Sequence, residues 1–138
     1  TFGSQCIVLS VEAKRRGPGQ WEALTDNGRE RTGVQVLDWV AEAERLGIGE
    51  VLVTSVDCEG TRRGFDHELF RAIRSSVSVP VIGCGGAGRI EQVIDAVVRD
   101  GLDAVACASL LHYGHASVPG LKTALREAGV PVRPEEPK

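Results

Sequence analysis

Glu12 stands between the apolar run Cys6–Val11 and the pair Lys14-Arg15. A carboxylate at the end of a buried strand can act as a general acid or base, its pKa raised by burial and lowered by a nearby lysine. It can equally be one half of an ion pair with Lys14 or Arg15 at a sheet rim. Asp57, in the stretch Ser55-Val-Asp57-Cys-Glu59-Gly60-Thr61, has the same two readings: an active-site acid, or the anchor of a turn held by an Asx-type hydrogen bond. The run Cys84-Gly85-Gly86-Ala-Gly88 leads into a helical pattern starting near Arg89. Glycines there let backbone N–H groups approach an anion, and a helix N-terminus favours a phosphate, although such turns also serve close packing. Ala108-Ser109 offers a hydroxyl and amides at a further helix start. His112 lies within reach of that point or packs a helix, while His67 and His115 are expected on exteriors.

Strands must carry these residues to one edge. Four apolar runs rich in Val, Ile and Leu recur at Cys6–Val11, Val51–Ser55, Val79–Gly83 and Ala104–Cys107. Each is continuous, as expected for strands buried on both faces of a parallel sheet. Amphipathic stretches follow them. Val34, Leu37, Trp39-Val40, Ala43 and Leu46 recur at helical spacing, as do Leu69, Phe70 and Ile73 after the N-cap type residue Asp66. Ile90–Val98, closed by Gly101, and Val118–Leu125, closed by Gly129, complete the set. Strand then helix, four times over, predicts an α/β (βα)4 array with a parallel sheet, one domain over residues 1–138. The Pro-Gly and Asn-Gly dipeptides around Trp21–Thr25 predict a small hairpin near 15–32. The tail Pro-Val-Arg-Pro-Glu-Glu-Pro-Lys is expected to be a short strand-like end that frays. In such folds ligands bind at the carboxyl ends of the strands, where all four loops here carry polar or glycine residues.

Composition excludes several classes. The 138 residues are 42% hydrophobic and 25% charged, the balance of a globular protein rather than a disordered or collagen-like one. A net charge of −3 gives no electrostatic case for nucleic acid or anionic lipid. No apolar run has the ~18 residues that span a bilayer, and no basic-then-apolar leader opens the chain, so a cytoplasmic location is expected. Of the four cysteines, Cys6, Cys84 and Cys107 fall in or beside apolar runs, the usual place of small buried thiols. No ligand spacing predicts a metal, and no cofactor is expected.

FGSQCIVLSVEAKR, LVTSVDCEGTRRGFD, VPVIGCGGAG and AVACASLLHYG resemble, in order, the last four strand–loop segments of the cyclase subunit of imidazole glycerol phosphate synthase. The sister isomerase of histidine biosynthesis shares the DGT and GG loops, but TSVD…GT..GFD and AS..H look more like the cyclase. The resemblance implies a (βα)8 barrel of which this chain matches the second half. It also implies ring closure of a bis-phosphate ribulosyl-formimino carboxamide nucleotide with ammonia, the ammonia delivered by a glutaminase docked at the opposite barrel face. The second of the family's two catalytic aspartates falls on Glu12, whose extra methylene moves the carboxyl outward by ~1 Å, enough to disturb proton transfer. Gly60, Gly85, Gly86, Ala108 and Ser109 match the second phosphate site; Thr54, Ser55 and Asp57 match the active-site rim; Glu50 matches a gate residue at the ammonia entrance.

The sequence therefore predicts a (βα)4 half-barrel that binds phosphate or a phosphorylated nucleotide and has weak or no cyclase activity alone. The other reading is a non-catalytic self-associating scaffold, natural or engineered. Either way a homodimer or higher homo-oligomer is expected, with the inward faces of Ile7, Leu9, Leu52, Ile82 and Val105 needing cover. A glutaminase partner is expected only where a full barrel forms.

Overall fold

The computed structural model describes residues 3–134. After a 3-10 turn at Ser4–Cys6 come β1 (Val8–Gly17), β2 (Gln20–Thr25), β3 (Glu30–Gln35), α1 (Val36–Leu46), β4 (Glu50–Ser55), α2 (His67–Ser76), β5 (Val81–Cys84), α3 (Ile90–Val98), β6 (Ala104–Ala106), the single turn α4 (Ser109–His112) and α5 (Val118–Glu127). The described strands form one sheet of order β3-β2-β1-β4-β5-β6. The four that alternate with helices, β1, β4, β5 and β6, pair in parallel. This is the (βα)4 half-barrel pattern that the four apolar runs predict.

The hairpin is larger than its sequence signature. Strand β1 runs on past the expected end at Val11 and pairs antiparallel with β2 from Glu12 to Gly17, so a three-stranded meander grows from it. Asp26, Asn27 and Gly28 turn the chain with three successive positive φ angles of 50°, 54° and 77°. Asp, Asn and Gly are the residues that tolerate this. The tail segment 131–134 forms no strand, and 135–138 lie outside the described residues.

One face of the parallel sheet carries the core. Val51, Val53 and Ser55 of β4 are fully buried, whereas Glu50, Leu52 and Thr54 between them are only half-buried. Register extends this across the sheet. Val11, Val53, Gly83 and Val105 form one row on the helix side. Ser10, Leu52, Ile82 and Ala104 form a row on the open side, and Glu12, Thr54, Cys84 and Ala106 form the next. Two corrections follow. Burial on both faces is not realised: residues such as Leu52 and Ile82 are apolar, yet no helix covers them. Leu9 and Val105 belong to the helix side rather than the inward face, because a strand reverses face at each residue. Ile7 precedes β1 and is 56% exposed.

Helix packing explains most of the remaining pattern. Val36, Val40 and Ala43 bury the inner face of α1, while Trp39 and Leu46, expected beside them, are exposed. Asp66 caps α2 by accepting from the Leu69 N–H, as its type predicts. Gly83 is required by this layer: a Cβ there would lie 2.4 Å from Leu102 Cδ1 and 2.9 Å from Phe70. No helix among the described residues is long and apolar enough to cross a membrane.

Candidate functional site

The carboxyl ends of β4, β5 and β6 bring three loops together. A depression there is lined by Gly60 with Glu59 and Arg62 from the first loop, by Gly85 and Gly86 from the second, and by Ala108 and Ser109 from the third. These are the five residues assigned to a phosphate site from sequence. The depression encloses about 20 Å³, room for one water-sized group.

The glycines have a steric reason that spacing did not reveal. A Cβ on Gly86 would lie 2.0 Å from the Gly64 carbonyl oxygen, and one on Gly88 would lie 2.2 Å from that of Arg62. Gly64 donates its N–H to the Gly86 carbonyl at 2.9 Å. The glycine run thus lets the β4–α2 loop lie directly on the β5–α3 loop, and this contact places Arg62 at the depression.

The two helix starts offer fewer free amides than expected. The Gln92 side-chain oxygen accepts from the Gly88 and Arg89 N–H groups at 2.8 and 3.0 Å, so α3 caps itself. Helix α4 is one turn long and contributes little dipole. Loop amides before α3 and between β6 and α4 remain as donors.

Glu12 lies in the row Glu12–Thr54–Cys84–Ala106. Its Oε2 is buried and meets no hydrogen-bond donor. The β2–β3 turn approaches it closely, since a Cβ on Gly28 would lie 3.3 Å from that oxygen. Neither Lys14 nor Arg15 neutralises Glu12. Lys14 pairs with Asp57, and Arg15 pairs with Asp66 and Glu68, both at 2.7 Å. Asp57 also accepts the Arg15 N–H at 2.8 Å. Partial burial opposes ionisation of Asp57, but the Lys14 and Arg15 contacts prevail and hold it below the ordinary carboxylate range. Its role in this structure is therefore to tie the loop to β1.

The remaining sequence candidates divide. Thr54 reaches the Cys84 thiol from the same row. Burial raises the Cys84 pKa, the Thr54 contact opposes this and the Glu59 charge adds to it. Burial also raises Cys107, so both thiols at the depression stay protonated at neutral pH. Ser55 points to the helix side, its hydroxyl buried without a partner, while its carbonyl accepts the Cys58 and Glu59 N–H groups. Glu50 sits at the opposite end of β4, in register with Val8. Cys6 is exposed, against expectation. His67 is half-buried rather than on the exterior, bonded through Nδ1 to the buried Asp100 at 2.5 Å. His112 is exposed and packs edge-on against Tyr113.

Arg62 and Tyr113 were missed from sequence. The guanidinium carbon of Arg62 lies 5.3 Å from the centre of the Tyr113 ring. The Arg62-Arg63 pair inside a binding-edge loop was the available signal.

No group of His, Cys, Asp and Glu suited to a metal occurs among the described residues. A larger hollow of about 560 Å³ lies beside the meander, but its Glu22 is already bonded to Arg16, Arg31 and the Gly33 N–H.

Over residues 1–117 the chain matches the family described as Histidine biosynthesis protein. It is similar to the imidazole glycerol phosphate synthase subunit HisF of Trichormus variabilis, 48% identical over 136 residues, covering 96% of this chain and 52% of that protein. The HisF subunit of a Nostoc species gives the same identity and the same coverage. The chain spans about half the length of these relatives. Four strand–helix units, glycine loops at their carboxyl ends and a family match over most of the sequence lead to one conclusion: the chain belongs to the histidine biosynthesis protein family.

Proposed function

We propose that this chain forms the second-half phosphate site and one acid/base position of an imidazole glycerol phosphate synthase cyclase. The observation that carries the reading is the convergence of Gly60, Gly85, Gly86, Ala108 and Ser109 on one depression, on the same sheet edge as Glu12. A phosphoryl group of the ribulosyl nucleotide seats on the loop amides, and the rest of the substrate extends along the row toward Thr54 and Glu12. Glu12, which no cation neutralises, would accept a proton from the closing ring. Glu50, at the far end of β4, would line the entry of ammonia supplied by a glutaminase.

The family pattern calls for a second carboxylate from the first half of the barrel, and residues 1–138 supply only Glu12. Loss of one acid/base partner typically costs ~10²–10⁴-fold in rate. This chain alone is accordingly a phosphate binder with turnover far below that of a full barrel. Titration with inorganic phosphate, followed by amide NMR, tests the first part. Gly60, Gly86 and Ser109 should shift first; shifts confined to outer Lys and Arg residues would refute it.

The second reading, a self-associating half-barrel, is favoured by the open apolar row of Leu52 and Ile82. It is compatible with the first, because association would complete the wall that faces the substrate.

A further inference from the structure

We propose that Arg62, stacked on Tyr113, is the side chain that fixes a bound phosphomonoester at the Gly85–Gly86 seat, a role that rests on the phosphate-binding reading above. Arg62 is the one cation among the residues lining the depression. Its guanidinium lies 5.3 Å from the Tyr113 ring centre, within the range of a cation–π contact, and Tyr113 is itself 61% exposed. Among the described residues no carboxylate pairs with Arg62, whereas Arg15 and Arg16 are each neutralised by acidic partners. The ring orients the guanidinium and leaves its N–H fork free. That fork matches two oxygens of a phosphoryl group, which a lysine ammonium does not.

Two further observations point the same way. Arg62 has a φ of +57°, a left-handed conformation that a non-glycine residue keeps only where its surroundings impose it. The imposing contacts are the close approach of its carbonyl to Gly88 and the Gly64–Gly86 hydrogen bond beside it. The electrostatics also require a cation. Gln92 occupies the Gly88 and Arg89 N–H groups just before α3, and Glu59 places a carboxylate oxygen 3.4 Å from where a Gly85 Cβ would stand. Loop amides beside a carboxylate make a poor seat for a dianion unless a positive charge offsets it.

The test is titration of the chain with inorganic phosphate, read by amide NMR, for the native sequence and for Arg62→Ala, Arg62→Gly, Arg62→Lys, Tyr113→Phe and Tyr113→Ala. Arg62→Gly relieves the positive φ, so a folded spectrum is retained whatever the charge does. Both charge-deleting variants should weaken binding at least about tenfold, with Arg62→Lys between them and native. Tyr113→Phe keeps the ring and should bind as native, while Tyr113→Ala should lose roughly threefold. Native binding that persists unchanged in Arg62→Ala and Arg62→Gly would overturn the role of Arg62 and leave the seat to the loop amides. A native chain that binds no phosphate would overturn the phosphate-binding reading and this role with it.

Discussion

Lys14 of β1 pairs with Asp57 of the β4–α2 loop, which leaves Glu12, two residues away on the same strand face, without a cation. The sequence placed the two acids as equals, each a catalyst or an ion-pair partner. The structure divides the roles: Asp57 is the paired carboxylate that holds a loop, and Glu12 is the unpaired one. This follows from strand register, because Glu12 aligns with Thr54 inside the row while Asp57 lies beyond the end of β4, above Lys14.

Asp57→Ala should therefore loosen the loop. It removes the acceptor of the Arg15 N–H as well as the ion pair, for an expected loss of about 1–2 kcal/mol. Asp57→Asn keeps a neutral acceptor and should cost less than half as much. Urea unfolding of the two variants measures the difference; equal losses would mean that the charge, not the hydrogen bond, matters.

Acid should destabilise the fold through the same contacts. Asp57 is held low by Lys14 and Arg15 against partial burial, Glu68 chiefly by Arg15, and Glu22 first by the Gly33 N–H and then by Arg16 and Arg31. A carboxylate whose folded pKa is depressed gives its full contribution above its unfolded value, about 3.9 for Asp and 4.3 for Glu. The unfolded chain then binds more protons as pH falls through the folded values, and stability drops. The urea midpoint should be flat from pH 7 to about 5 and decline below that, less steeply in Glu22→Gln. A midpoint that rises on acidification would refute the assignment.

Glu12 should behave as a functional residue that costs stability. A buried oxygen without a donor carries an unmet desolvation penalty of about 1–3 kcal/mol. Glu12→Leu is expected to raise unfolding stability by about 1 kcal/mol, while Glu12→Asp, which restores the family's shorter acid, should raise ammonia-dependent turnover in any reconstituted barrel. Turnover unchanged in Glu12→Leu would remove Glu12 from the reaction.

The glycine loops separate packing from function. Gly86→Ala puts a Cβ 2.0 Å from the Gly64 oxygen at a φ of +104°, and should cost more than about 2 kcal/mol by forcing the two loops apart. Gly60→Ala has a φ of +72° but open space around the new Cβ, so only the conformational penalty of about 1–2 kcal/mol applies. Thermal unfolding of the pair gives the comparison directly.

What the sequence made legible was local. Asp66 announced the start of α2, Asn27-Gly28 announced a hairpin, and the apolar runs announced four parallel strands in order. Residue type did not reveal which face of each strand would be covered, since Leu52 and Val53 are equally apolar and only register and helix position separate them. Nor could spacing show that Gln92 caps its own helix, or that Arg62 finds Tyr113 from a distant loop. The site residues came from a resemblance that fixes positions along the chain; the contacts between loops arise only in the folded state.

That uncovered face leads to association. The Val8–Val11 part of β1 pairs with β4 on one side and has no β2 partner on the other, because the meander begins at Glu12. Beside it lies a hollow of about 390 Å³ walled by Leu9, Val11, Leu24, Val34 and Trp39. Strand β6 ends the sheet at the other side, next to a hollow of about 380 Å³ walled by Val93, Val97, Leu121 and Leu125. Ile7, Val8 and Trp39 are each more than two-fifths exposed. Burying such side chains is worth ~1.5–3 kcal/mol each, large against a typical stability of ~5–15 kcal/mol. Two copies about a two-fold axis can place β6 of each against the open part of β1 of the other, which satisfies both strand edges and closes the apolar row. Sedimentation equilibrium should give twice the 14.7 kDa chain mass or a higher multiple. Val8→Lys, which puts a charge on the same open face at the free edge of β1, in register with Glu50, should shift the equilibrium toward monomer while leaving the helix-side core folded. A native chain that stays a folded 14.7 kDa monomer at every concentration would refute the association.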